Sequence, residues 1–456
     1  MEHVSPFEAL ALADRRPAFP MVFFIDVLLE GPLERDRFER AVARASARHP
    51  RLRMRVGKRG GRVVWLPPDR VPSVEWRPLG GARDGRDPLR PFDLFRECGF
   101  RVVARELERL PGGVPSWSVL LVVDHAVCDG LAALEWLGDL WTIYHGRPPR
   151  PLDNGPAASR PEREPSAPPA QADAPASTAR RLGLDSRAFA ALRPAVLAPL
   201  STPPAAASNE ARAVPSWAHY RTVEFDREET RGLRATATRG GVSVNDLLVA
   251  ASMRTVLGWN AAAGHPSRHV RINMPVNLRP PGARLPAANH IGYAFLDRSA
   301  DDCDRAVDLV RSLAAASQWI QDTGAAAQFL HAVKALRRVP GLLWLLTRVP
   351  VCLSSAVVSN VGNVGPRMGA DVPQIDGCDA PGDLRLTAIL GIPPLRPRTR
   401  LGVGIVTYGG SLRLAVVADE RRLGANATAL LASRLRDEVV GVAAAVDAAS
   451  AASPPA

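Results

Sequence analysis

The sequence predicts an α/β protein of two lobes, and three observations carry that prediction. The first sixty residues already read strand, helix, strand. A chain of 456 residues that is 46% hydrophobic can bury more core than one ordinary domain holds. A Pro-, Ala- and Ser-rich stretch, about 147–213, separates this start from a second run of strands and helices. The expected layout is an N-terminal lobe over 1–150, an inter-lobe linker at 151–213, a C-terminal lobe over 214–449 and a disordered tail at 450–456.

In chain order, 21–30 (MVFFIDVLLE) is rich in β-branched and aromatic residues and stops at Gly31-Pro32, which reads as a strand. Residues 33–49 place Phe38, Val42 and Ala45 at helical spacing before Pro50. Leu52, Met54 and Val56 alternate with arginines, the period of a half-buried strand. A strand follows at 100–104, and the Gly112-Gly113 loop leads into another at 116–123. That strand ends in LVVDHAVCDG, residues 121–130, and the helix at 131–144 starts directly behind it. Within the linker, 182–200 could form a short helix.

The second lobe restarts with a strand at 218–225 and a helix at 243–257 whose N-cap is Ser243. RINMPVNLRP reads as a strand ending at Asn277 and Arg279, and 289–295 is NHIGYAF. Ser359 and Asn360 stand at a strand end in LSSAVVSNVG. Residues 401–407 and 411–417, split by Tyr408-Gly409-Gly410, read as a hairpin, and an Ala-rich helix covers 425–448.

Composition narrows the partners. The net charge is +12, yet Lys occurs only at Lys58 and Lys334, and the arginines are scattered without forming a tract. Aromatics are 5% and not interleaved with the basic residues, so the charge reads as a solvated surface and not as a nucleic-acid footprint. Five cysteines without a CxxC pair fit reduced thiols in the cytoplasm and offer no zinc site. No signal peptide is evident at the N-terminus. The most apolar later stretch, 341–358, is interrupted by Arg348 and Pro350 and is too short to span a bilayer. The expectation is a cytoplasmic protein with peripheral membrane contact left open.

A strand that delivers His125 to its C-terminal end, with Asp129 and Gly130 close behind, is a way to present a general base. The bland alternative is a histidine satisfied by backbone at a strand end. Six stretches in order decide between them: RHPRLR at 48–53, PFDL at 91–94, HAVCDG at 125–130, VNDLL at 244–248, MPVNLR at 274–279 and SNVG at 359–362. With these the chain resembles the CoA-dependent acyltransferases of chloramphenicol acetyltransferase fold, which include condensation domains, wax-ester synthases and the BAHD enzymes. The resemblance spans most of the chain outside the linker. DLWTIYHG after the motif looks most like free-standing condensation-type proteins, and the BAHD signature DFGWG is absent.

The resemblance implies two chloramphenicol-acetyltransferase-like lobes, each a mixed β-sheet with helices, with the active-site tunnel between them. It implies direct acyl transfer from acyl-CoA, or from acyl-phosphopantetheine on a separate acyl-carrier protein, to a hydroxyl or amine acceptor, O-acyl before N-acyl. No bound cofactor or metal is expected, and a monomer is. His125 would be the base, and Asp129 would pair with Arg279 to hold the turn. Gly130 would leave room for the pantetheine arm or permit a tight turn. Ser359 and Asn360 are candidate oxyanion donors, with strand-end capping as their alternative role; Asn245 and Asn277 are weaker candidates, and Trp136 belongs to the core. Cys128 beside the base is tempting as a nucleophile, but an alternating strand end directs it away.

Two departures bear on the function. Asp124 stands where many relatives carry a first histidine, and Gly292-Tyr293 replaces a common Gly-Asn. They leave room for a second reading, a non-catalytic condensation-like domain that binds a carrier or partner protein.

Overall fold

The computed structural model describes residues 2–79, 90–153, 201, 220–368 and 384–452. Most of the expected linker, including the helix at 182–200, lies outside the described residues, as do Cys378 and residues 453–456.

The first part of the chain forms β1 (Glu2–His3), α1 (Pro6–Asp14), β2 (Val22–Glu30), α2 (Arg35–Arg48), β3 (Val56–Arg59), β4 (Arg62–Trp65), β5 (Val74–Arg77), β6 (Phe100–Leu107), β7 (Ser116–Asp124) and α3 (Gly130–Tyr144). The second part begins with β8 (Tyr220–Phe225), α4 (Arg227–Arg239), α5 (Val244–Ala262), β9 (His269–Asn277) and β10 (Ile291–Ser299). It continues through α6 (Ala300–Asp304), α7 (Ala306–Thr323), α8 (Ala325–Leu336), α9 (Leu342–Leu346) and β11 (Ala356–Asn363). It closes with β12 (Arg385–Ile392), β13 (Leu401–Tyr408), β14 (Ser411–Ala418), α10 (Glu420–Leu423) and α11 (Ala427–Ala452).

Two mixed sheets organise these elements. One runs β12-β2-β7-β6-β5 and the other β10-β9-β11-β13-β14-β8, with a small β1-β4-β3 sheet beside the first. β5 lies parallel to β6, and β11 parallel to both β9 and β13; the remaining pairs are antiparallel. Helices α4, α5, α7 and α11 supply buried side chains to the second sheet's own core, and Ser243 begins α5 with a reciprocal capping box to Asp246.

Three sequence readings need correction. Residues 50–53 form a 3-10 turn, and the strand starts only at Val56. There Arg51 turns inward, where Glu8 and Glu2 neutralise it and the Trp65 ring covers its guanidinium at 4.7 Å. The terminal helix continues to Ala452, through the start of the expected tail. And β12, assigned by its position to the second lobe, pairs antiparallel along β2 as the edge of the first sheet. A Cβ on Gly404 of β13 would fall 1.8 Å from the Gly391 carbonyl oxygen of β12, so the two sheets meet there backbone to backbone.

Candidate functional site

The site is built where β7 hands the chain to α3. β7 pairs with β2 along its whole length, and the ladder is extended by one bond, from the His125 N–H to the Met21 carbonyl at 2.8 Å. Met21 adopts a left-handed backbone (φ 58°), uncommon for a non-glycine residue, where the chain turns into β2. His125 therefore leaves a continuously hydrogen-bonded strand with its backbone fixed on both sides. Its ring is packed by Phe7 of α1 at 5.1 Å and Phe23 of β2 at 5.2 Å between centroids.

Protein surrounds His125, yet the residue keeps some accessible surface, because it opens into a cavity. That cavity lies between the two sheets and opens to solvent. Its first-lobe wall includes Phe23, Ile25, Gly130 and Leu134, and its second-lobe wall includes Val357, Ser359, Val361 and Ile405. β12 and the turn after it close a third side with Ile389, Pro393 and Arg396. The lining is mostly apolar with a few polar groups, the usual make-up of a small-molecule site.

Nδ1 of His125 is enclosed beside the Asn289 amide; they are close enough to interact but make no well-formed hydrogen bond, and Asn289 Oδ1 is likewise unpartnered. Nε2 is thus the ring nitrogen left for the cavity. Asn289 instead donates from Nδ2 to the carbonyls of His125 and Ala126, at 3.0 and 3.1 Å, and so ties the turn to the second lobe. Burial pushes the imidazole below the usual histidine range, partly offset by the Asp129 carboxylate. At neutral pH the ring is uncharged and able to accept a proton.

Asp129 points away from the cavity. Its carboxylate accepts two bonds from Arg279 Nη2, at 2.9 and 3.0 Å, one from the His290 N–H at 2.7 Å and one from the Ala132 N–H at 2.9 Å. It is both the N-cap of α3 and the partner of the second-lobe arginine. Gly130 opens α3 without a left-handed backbone, and a Cβ there would meet only Val361 at 3.8 Å. The tight-turn reading of Gly130 therefore fails, and what it offers is room at the cavity wall. Cys128 is fully buried off the cavity lining, and burial pushes its thiol well above the ordinary range, as expected of an inert cysteine.

Ser359 and Asn360 separate. Both lie inside β11, not at its end. Asn360 spends its side chain locally: Oδ1 accepts from the Gly362 N–H at 2.8 Å, across an irregularity in the strand, and Nδ2 donates to Asn245 Oδ1 at 3.1 Å. Ser359 is half-buried and lines the cavity. Asn277 accepts from the Arg279 N–H and Nη1 at 3.1 and 3.2 Å, so it too supports the arginine. Trp136 is buried in the core.

Among the cavity residues without a role assigned from sequence, four stand out. Asn273 sits in the otherwise apolar wall with a buried, unpartnered Oδ1, and an asparagine inside the apolar run of β9 was the available signal. Tyr293 packs on Phe7 at 5.5 Å, and burial pushes its phenol up to about 12, which keeps it protonated. Arg396 lines the cavity and donates from Nε to Asp14 at 2.5 Å. Met21 had no sequence signal, since its role is carried by its carbonyl.

Around the site, Glu135 and Asp139 of α3 are gripped by arginines. Arg284 reaches Glu135 at 2.8 Å and Asp139 at 2.9 Å, Arg367 reaches Glu135 at 2.7 Å, and Arg48 reaches Asp139 at 2.6 Å. Burial alone would raise Asp139, but bonds from His49, Arg48 and Arg284 outweigh it and hold its carboxyl at about 2. A Cβ on Gly138 would lie 2.4 Å from the Arg367 carbonyl oxygen, so α3 and the second lobe touch at backbone distance.

Residues 215–372 match the family described as phthiocerol/phthiodiolone dimycocerosyl transferase C-terminus. Uncharacterised proteins of two Mycobacterium tuberculosis strains, CDC 1551 / Oshkosh and ATCC 25618 / H37Rv, are each 28% identical over 448 residues, 91% of this chain and 94% of theirs. Among solved structures, the first condensation domain of the calcium-dependent antibiotic synthetase in complex with a substrate analogue superposes with TM-score 0.62 at 18% identity, over 98% of each chain. The epimerization domain from the third module of tyrocidine synthetase B gives 0.61 at 14%, over 98% of each. Polyketide synthase associated protein 5 from Mycobacterium tuberculosis gives 0.58 at 16%, over 97% of this chain and 98% of that one. The chain has the two-lobed fold of these condensation domains.

Proposed function

We propose that the protein is an acyltransferase in which His125 is the general base and the apolar cavity receives the acyl group. The observation that carries the reading is a histidine, fixed by backbone and cross-lobe bonds, that opens onto a mostly apolar cavity also lined by Ser359. Nε2 of His125 takes the proton of an acceptor hydroxyl or amine as that atom bonds to the thioester carbonyl carbon. The carbonyl oxygen becomes an oxyanion and accepts a hydrogen bond from Ser359. Collapse breaks the carbon–sulfur bond, and His125 returns the proton to the departing thiolate. The acceptor gains the acyl group without an acyl-enzyme.

The donor is acyl-CoA or an acyl-carrier protein; the likeness to a polyketide synthase associated protein supports a carrier partner. The free thiols Cys98, Cys128, Cys303 and Cys352 fit a reducing, cytoplasmic setting. A cavity that reaches His125 supports catalysis over the binding-only reading.

Thiol release from a panel of acyl-CoAs, with alcohol and amine acceptors and products identified by mass spectrometry, tests the proposal. His125→Ala is expected to lower the rate by about 10²–10⁴. Ser359→Ala should cost on the order of 10² in kcat, whereas Asn360→Ala should act mainly on thermal stability. Equal rates for wild type and His125→Ala would remove the base from the mechanism.

A further inference from the structure

Seven of the thirteen exposed large apolar side chains among the described residues fall within 339–353: Val339, Trp344, Leu345, Leu346, Val349, Val351 and Leu353. Scattered single apolar side chains are normal on a surface, but a contiguous group this dense marks an interaction site. The short helix α9 buries Leu343, half-buries Leu342 and presents Trp344, Leu345 and Leu346 outward. This exposure is built in. Thr347 Oγ1 and Arg348 Nη1 donate to the Ala13 carbonyl at 3.2 and 2.9 Å, and Arg16 donates to the Thr347 carbonyl, so the segment is pinned to the end of α1.

The electrostatics select the occupant. No Asp or Glu occurs between Asp322 and Asp371, while Lys334, Arg337, Arg338 and Arg348 all fall in 334–348. The Arg348 guanidinium lies 3.8 Å over the Trp344 ring. An apolar patch carrying tryptophan, in a stretch of chain with four cations and no acids, matches the boundary between anionic headgroups and acyl chains. With prolines at 340 and 350 and a five-residue helix, the segment can lie on a bilayer but not cross it, and no helix among the described residues is long and apolar enough to cross one. We propose that residues 338–353 dock the protein on an anionic lipid bilayer.

The docking surface is one helix from the cavity. α1, which holds residues 347 and 348 at its end, also carries Asp14, the partner of the cavity residue Arg396, and Phe7, which packs on His125. If the cavity is the acyl site proposed above, docking places it beside a membrane-held acyl chain or lipid alcohol.

Flotation with phosphatidylglycerol–phosphatidylcholine vesicles, against vesicles of phosphatidylcholine alone, tests the surface on the full chain. Wild type should float with the anionic vesicles, and W344D/L345D should lose at least about tenfold in binding. These positions are exposed, so the unfolding temperature should be unchanged. His125→Ala should float like wild type, and thiol release from a short-chain, water-soluble acyl-CoA should be intact in W344D/L345D, which separates failure of docking from failure of catalysis. Absence of wild-type flotation, equal flotation of W344D/L345D, or a wild-type dimer that W344D/L345D dissolves would overturn the proposal.

Discussion

The two flanks of His125 each end in a buried carboxylate, and they are solved differently. After the histidine, Asp129 fills its acceptor sites with two N–H groups and a second-lobe guanidinium. Before it, Asp124 accepts one backbone N–H, from Ala126 at 3.0 Å, and faces Arg15 at 3.2 Å, leaving Oδ2 without a well-formed hydrogen bond. Burial accordingly lifts Asp124 to about 6, against the pull of Arg15 and the Ala126 N–H. Two equally buried acids of one turn thus differ in whether the fold satisfies them: Asp129 fixes the geometry between lobes, and Asp124 holds a charge near its titration point.

The largest expected effect comes from breaking the satisfied side. Arg279→Ala strands a buried carboxylate and should cost about 3–5 kcal/mol of stability in chemical denaturation; Asp129→Asn with Arg279→Ala together should cost less than the sum of the two. Additive costs would mean that the pair is not coupled. On the other side, the folded state of Asp124 holds its proton more tightly than the unfolded chain. Its stabilising contribution is complete below the unfolded value near 3.8 and is lost as pH rises through about 6. Asp124→Asn should remove that slope, so the difference in Tm between variant and wild type should grow in the variant's favour from pH 4 to pH 7; a constant difference would show that Asp124 does not titrate there. The smallest effect is that of Arg15→Gln, which removes the opposing charge and should move the Asp124 midpoint upward from about 6 in a carboxyl NMR titration.

Local chemistry made much of this legible. The strand–turn–helix around His125, the Ser243 cap, the glycine hairpin between β13 and β14, and Arg279 as the partner of Asp129 all follow from residue pattern or resemblance, because each depends on neighbours or on one motif pair. What escaped depends on distant partners. Arg51 turns a predicted strand start into a 3-10 turn only because Glu8 and Glu2 await it. Asn360 looked equivalent to Ser359 until the irregularity in β11 and Asn245 claimed both ends of its amide. Arg396 and Tyr293 reach the cavity because two sheets pack together, which no local period encodes.

The placement of β12 has a consequence for how this protein comes into being. By residue 150 the nascent chain holds β2, β5, β6 and β7, four of the five strands of the first sheet, but the strand that covers β2 arrives only at residues 385–392. Until then the backbone of β2, within the apolar run VFFIDVLLE, is an open pairing edge of the kind that invites other chains. The N-terminal half by itself therefore leaves β2 without its edge partner. Its last strand lies beyond most of the second half, and that strand also lines the cavity with Ile389 and Ile392.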